Sequence, residues 1–230
     1  MQQSRNPLVL PMTLAALSAL AMAPRESAAQ PVFVDPLGDF RAPYVAAGNP
    51  TTGDLDVRSL AAYLNNPGTA ILLTGTVAAN IPAGAPANQA YIFGIDRGAG
   101  VARFAGLGLP GIVFDAVVIV RPNGPDVLNT CFPVTCNVPL PGPATFNGNA
   151  FAVTVPTSML PSTGRPPVGY TFNLWPRLIG QNGGSANLEI PDFAPDNGMV
   201  GLNVVPEPAT LLLVAPALAG LALVRRRRVR

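Results

Sequence analysis

Two long apolar runs mark the ends of this 230-residue chain, and between them hydrophobic positions come in short bursts cut by turn residues. The first run, Leu8 to Ala23, is interrupted only by Pro11, Thr13 and Ser18. The second, Ala209 to Val224, carries one hydroxyl (Thr210), one proline (Pro216) and no charge. As a helix it would be about 24 Å long, slightly short of the ~30 Å hydrocarbon core, a gap that snorkelling flanks can close. Between the runs, the β-branched and aromatic stretches Ala70 to Ala78, Tyr91 to Asp96, Val101 to Phe104 and Ile112 to Val120 predict strands. They are bounded by Asn66-Pro67-Gly68, Arg97-Gly98 and Pro122-Asn123-Gly124. The run IVFDAVVIV is too short to span a bilayer and fits a central strand buried on both faces, in which Asp115 needs a partner. Further strands are predicted at Phe151 to Val155, Tyr170 to Trp175, Asn187 to Ile190 and Met199 to Val204.

Two stretches are harder to assign. From Asp54 onward, Leu55 and Val57 fit period 2 while Leu60 and Leu64 fit helical spacing, so the pattern favours a strand first and at most a helical turn over Ser59 to Leu64. Arg121 to Phe146 reads as a long loop, too rich in proline for ladder pairing. No window carries a long amphipathic helix. Many short strands, in a chain with 27 prolines and 23 glycines, predict an all-β domain, an antiparallel β-sandwich of jelly-roll-like type. That domain spans residues 30–204, between an N-terminal signal peptide (1–29) and a C-terminal signal (205–230) with a single transmembrane helix.

The ends define the compartment. Arg5 precedes the first apolar run, and Ser27-Ala28-Ala29 offers the small residues a signal peptidase reads, which places the cut before Gln30; an uncleaved signal anchor is the alternative. After the second run come Arg225, Arg226, Arg227 and Arg228, a cluster that stays on the cytoplasmic side and leaves the preceding chain outside. A plain single-span anchor would explain these features. However, Pro206-Glu207-Pro208 stands directly before the span, where two prolines enforce an extended backbone around one carboxylate. Short motif, apolar span and arginine cluster, in that order, resemble the PEP-CTERM sorting signal of exopolysaccharide-producing Gram-negative bacteria. The resemblance implies that an exosortase-type membrane transpeptidase recognises Pro206, Glu207 and Pro208 and cuts nearby. It implies an inner-membrane precursor, a mature form at the cell surface or in the extracellular matrix, and association with exopolysaccharide. The hydrophobic tail would then be read and removed, as in a GPI signal.

Charge and composition narrow the chemistry. The overall +2 belongs to the ends: between Pro31 and Val205 seven arginines face nine aspartates and Glu189, a net −3, with no lysine. Without a basic patch the domain is a poor nucleic-acid partner. Histidine is absent, which removes the commonest general base and metal ligand together with Ser-His-Asp and Cys-His catalysis. Two cysteines cannot make a four-thiolate zinc site. Cys131 and Cys136, spaced C-x4-C, read in an exported protein as a disulfide rather than two free thiols. No cofactor is expected.

Several side chains are candidates for a site. Asp35, Asp39, Asp54 and Asp56 gather oxygen donors in one turn-rich region and could surround calcium, although their spacing matches no defined loop and Asx-turns, the commoner case, would explain them. Asp192 and Asp196 read as turn aspartates in the same way. Tyr170 and Trp175 could present rings to a sugar, or fill the core. Asp96 and Asp115 could in principle pair as the two carboxylates of a glycosidase. The order of DPLGDF, GDLDV and YIFGIDRG before a hydrophobic strand is similar to carbohydrate-binding sandwich domains of the DOMON-like kind. Together these features lead to the expectation of an exported, non-enzymatic surface or matrix protein. A specific carbohydrate-binding module and a membrane-anchored periplasmic protein with an uncleaved tail are the alternatives.

Overall fold

The computed structural model describes residues 32–204 apart from 66, 132 and 133. The signal peptide, Pro206-Glu207-Pro208, the apolar tail and Arg225 to Arg228 therefore lie outside the described residues. Among the described residues, no helix is long and apolar enough to cross a membrane.

The chain runs through β1 (Phe33–Val34), α1 (Ala42–Ala46), β2 (Val57–Leu64), β3 (Ala70–Val77), β4 (Gln89–Asp96), β5 (Ala116–Val120), β6 (Val127–Asn129) and β7 (Val138–Pro139). It continues through β8 (Thr145–Asn147), β9 (Ala150–Pro156), β10 (Thr171–Leu178), α2 (Ala186–Glu189), β11 (Val200–Gly201) and β12 (Asn203–Val204). These strands form two sheets, one ordered β1-β2-β3-β9-β8 and the other β11-β10-β4-β5-β6-β7. Every pairing among the described residues is antiparallel except that of β12, which joins β2 in parallel. The fold is all-β, as the pattern of short bursts predicts.

Alternate residues of each sheet point into a shared core. The first sheet contributes Ile71 and Leu73 from β3, with Phe151, Val153 and Val155 from β9. From the other sheet come Tyr91, Phe93, Ile95, Val118, Phe172 and Leu174. The second sheet is also covered on its outer face, where Ile92, Val117 and Trp175 meet Phe104, Ile112, Phe114, Ile190 and Phe193 from the connecting loops. This double cover explains why every residue of β4 is buried and why β4 and β5 read as near-continuous apolar runs.

The structure corrects four local expectations. Ser59 to Leu64 is strand, not a helical turn, and the turn instead lies before it at Gly53–Leu55. Asn187 to Ile190 is not a strand, because Ala186–Glu189 closes a helical turn. Val101 to Phe104 contributes only a single bridge, Val101 to Phe114. Arg121 to Phe146 does pair, through β6, β7 and the start of β8. Pro139 is accommodated because, among the described residues, β7 is the outermost strand of its sheet, where a missing N–H breaks no ladder bond.

Candidate metal centre

Two five-residue loops, Asp35-Pro36-Leu37-Gly38-Asp39 and Asp192-Phe193-Ala194-Pro195-Asp196, each begin and end on an aspartate. The first leaves β1. The Asp35 N–H donates to the Arg58 carbonyl at 2.9 Å, and Gly38 turns the chain at φ 80°, a conformation that L side chains resist. The Gly38 N–H donates to Asp56 Oδ2 at 2.9 Å. The second loop is fixed on β10 by reciprocal backbone bonds between Ala194 and Leu174 at 2.8 and 2.9 Å. Asn173 Nδ2 adds bonds to the carbonyls of Pro195 and Gly198, at 2.6 and 2.9 Å. The Arg41 N–H, donating to the Pro191 carbonyl at 2.7 Å, joins the end of the first loop to the start of the second.

The result is a cluster of four aspartates, Asp35, Asp39, Asp192 and Asp196, with one carboxylate oxygen from each lying within 4.8 Å of the others. Asp192 is held rigidly: Oδ2 accepts from the Val57 N–H at 2.7 Å and Oδ1 from the Phe193 N–H at 2.6 Å. Asp35 is 4% exposed, yet neither of its oxygens accepts a hydrogen bond, and neither do those of Asp39. Asp56 stands behind them with Oδ1 also unpartnered. Burial pushes the Asp35 carboxyl up to about 8, helped by the negative charges of Asp39, Asp196 and Asp56. Burial likewise pushes Asp192 up to about 9, against its two backbone donors and with Asp35 and Asp39 adding repulsion. Asp56 and Asp196 are raised by desolvation first, with Asp39 adding repulsion to each, although the Gly38 N–H works against the rise at Asp56. Arg41 does not relieve this charge. Its guanidinium bonds to the Asn187 and Ile190 carbonyls and Asn187 Oδ1, and lies 5.4 Å from the Phe193 ring.

No family model, no curated protein and no solved structure matches the chain.

The remaining sequence candidates fall elsewhere. Asp54 lies apart from the cluster, its Oδ2 accepting from Gln89 Nε2 at 2.9 Å, so the predicted quartet of Asp35, Asp39, Asp54 and Asp56 is only partly brought together. Asp192 and Asp196, read from sequence as turn residues, complete it. The signal that would have found them is the repeated D-x3-D frame with a proline inside each loop. Tyr170 is buried with its hydroxyl donating to the Leu160 carbonyl at 2.8 Å, and Trp175 is 3% exposed among Phe104, Phe114 and Phe193. Neither ring offers a face to a sugar. Asp96 and Asp115 are both engaged structurally. Asp96 pairs with Arg165 at 2.8 Å and caps the Gly98 and Gly100 N–H groups, while Asp115 pairs with Arg97 at 3.0 Å and accepts from the Thr163 hydroxyl. Cys131 and Cys136 form a disulfide, with Cα atoms 5.8 Å apart.

Chemically, the aspartate cluster is an array of hard oxygen donors. Its charge can be relieved by protons or by a cation.

Proposed function

We propose that this chain is an exported, non-enzymatic surface or extracellular-matrix protein of a Gram-negative bacterium. A signal peptide removed before Gln30 delivers it, and an exosortase-type transpeptidase sorts and cuts it at Pro206-Glu207-Pro208. The mature domain then associates with exopolysaccharide. The observation that carries the exported reading is the Cys131–Cys136 bridge, a bond that persists in oxidising compartments and is rare in the cytosol. Closing so short a loop contributes about 2 kcal/mol on chain-entropy grounds. The finer jelly-roll-like architecture is supported by the pairs β3–β4 and β9–β10, in which the chain crosses from one sheet to the other and pairs again in both.

The test is intact and C-terminal-peptide mass spectrometry on the protein from its own host, with membrane and extracellular fractions kept apart. The expected mature species starts near Gln30 and ends near Pro206 to Pro208. A membrane-bound species that retains Arg230 would overturn the processing and make the tail an ordinary anchor.

A further inference from the structure

We propose that the loops 35–39 and 192–196 form a calcium site that ties the first loop of the domain to its last, with Asp35, Asp39, Asp192 and Asp196 as ligands. The cluster alone would not carry this. What points to a ligand is the state of Asp35: a side chain 4% exposed, placed among three other carboxylates, with both oxygens lacking any hydrogen-bond partner. Elsewhere in the same domain buried carboxylates are satisfied. Asp115 has Arg97 and Thr163, Glu189 has Arg177, and Asp96 has Arg165. Counter-charges are thus supplied at those positions, whereas Arg41, which follows the first loop, bonds to residues just before the second loop and not to these carboxylates. Asp192 is oriented by two backbone N–H donors, as a ligand carboxylate held by its surroundings would be.

The donor set selects the ion. All donors are carboxylate oxygens, with no nitrogen or sulfur, which favours hard cations over zinc or copper. A set of oxygens within 4.8 Å of one another is spanned by a cation with bonds of about 2.3–2.6 Å. Magnesium demands bonds of about 2.0–2.1 Å in a strict octahedron and keeps several waters, so a cage of four carboxylates suits it poorly. Asp196 is exposed, which leaves one side open for water to complete the shell. Asp56 adds repulsion toward Asp35 and Asp39 without belonging to the donor set. This site does not depend on how the tail is processed.

The experiment uses the full-length oxidised chain in mild detergent, stripped with EGTA and returned to chelator-free buffer at pH 7.5. Calorimetric titration with CaCl2 is expected to give one ion per chain with a dissociation constant at or below about 1 mM, and a thermal midpoint raised by several degrees. MgCl2 at equal concentration is expected to bind at least tenfold more weakly. Asp196→Asn, at an exposed position, and Asp35→Asn should each weaken calcium binding at least tenfold. Both should keep the calcium-free circular dichroism spectrum, and their calcium-free midpoints should be equal to or above the wild type's, because each removes one carboxyl from a crowded cluster of four. No calcium heat and no midpoint shift at 10 mM CaCl2 would overturn the site. So would calcium binding that survives both substitutions.

Discussion

Asp115 shows how this chain handles a buried charge when it supplies the partner itself. Burial would raise its carboxyl, but the Thr163 hydroxyl and then the Arg97 guanidinium outweigh that and hold it below the usual range. Glu189 behaves alike: burial raises it, and Arg177 with the Asn182 and Gly184 N–H groups brings it below normal. A carboxyl depressed in the folded state adds stability above its unfolded value near pH 4, and that contribution is lost as pH falls through the folded value. Stability is therefore expected to drop steeply below about pH 4. Asp115→Asn strands a guanidinium in a residue only 3% exposed and should cost about 3 kcal/mol at pH 7, with the gap to wild type narrowing in acid. Urea unfolding at pH 7 and pH 3 checks this; an unchanged gap would mean the ion pair does not carry the loss. The need of Asp115 for a partner was legible from an aspartate inside IVFDAVVIV. The identity of that partner was not, since Arg97 and Thr163 reach it from separate loops. The same limit hid Asp192 and Asp196, whose D-x3-D frame is visible in the chain but whose meeting with Asp35 and Asp39 depends on tertiary contact.

At the scale of elements, apolar runs bounded by glycine and proline located β3, β4, β5, β9 and β10 well, because burial and turn chemistry agree there. They failed at β2, where alanines and leucines mix two spacings. In β2, Leu60, Ala61, Ala62 and Leu64 are all buried, so period 2 is blurred and helical spacing emerges by accident. Asn187 to Ile190 failed for the opposite reason: four residues are too few to show any period. Close packing also sets a local demand at Gly94, where a Cβ would come within 2.6 Å of the Trp175 ring lying across β4. Gly94→Ala is expected to destabilise by about 1–3 kcal/mol through overpacking and to shift the single tryptophan's emission. A thermal melt followed by fluorescence reads both effects. An unchanged midpoint would show that the indole has room to move.

Across the whole domain, the outer edge of β2 is shared by the two ends of the described chain. Phe33 pairs with Leu60 and Asn203 with Tyr63, so β1 and β12 dock end to end on the same strand, one antiparallel and the other parallel. Three positions along a strand separate those docking points, or about 10 Å. The order in which the chain visits the two sheets is then not unique. Val204 could be joined back to Val32 by a linker of a few residues, with new termini opened at Gly183–Gly184, outside both aspartate loops. Such a circular permutant is expected to fold with the same circular dichroism spectrum and a midpoint within a few degrees of the parent. On the processing proposed above, in which both ends are removed, the choice of starting residue is left to delivery rather than to folding.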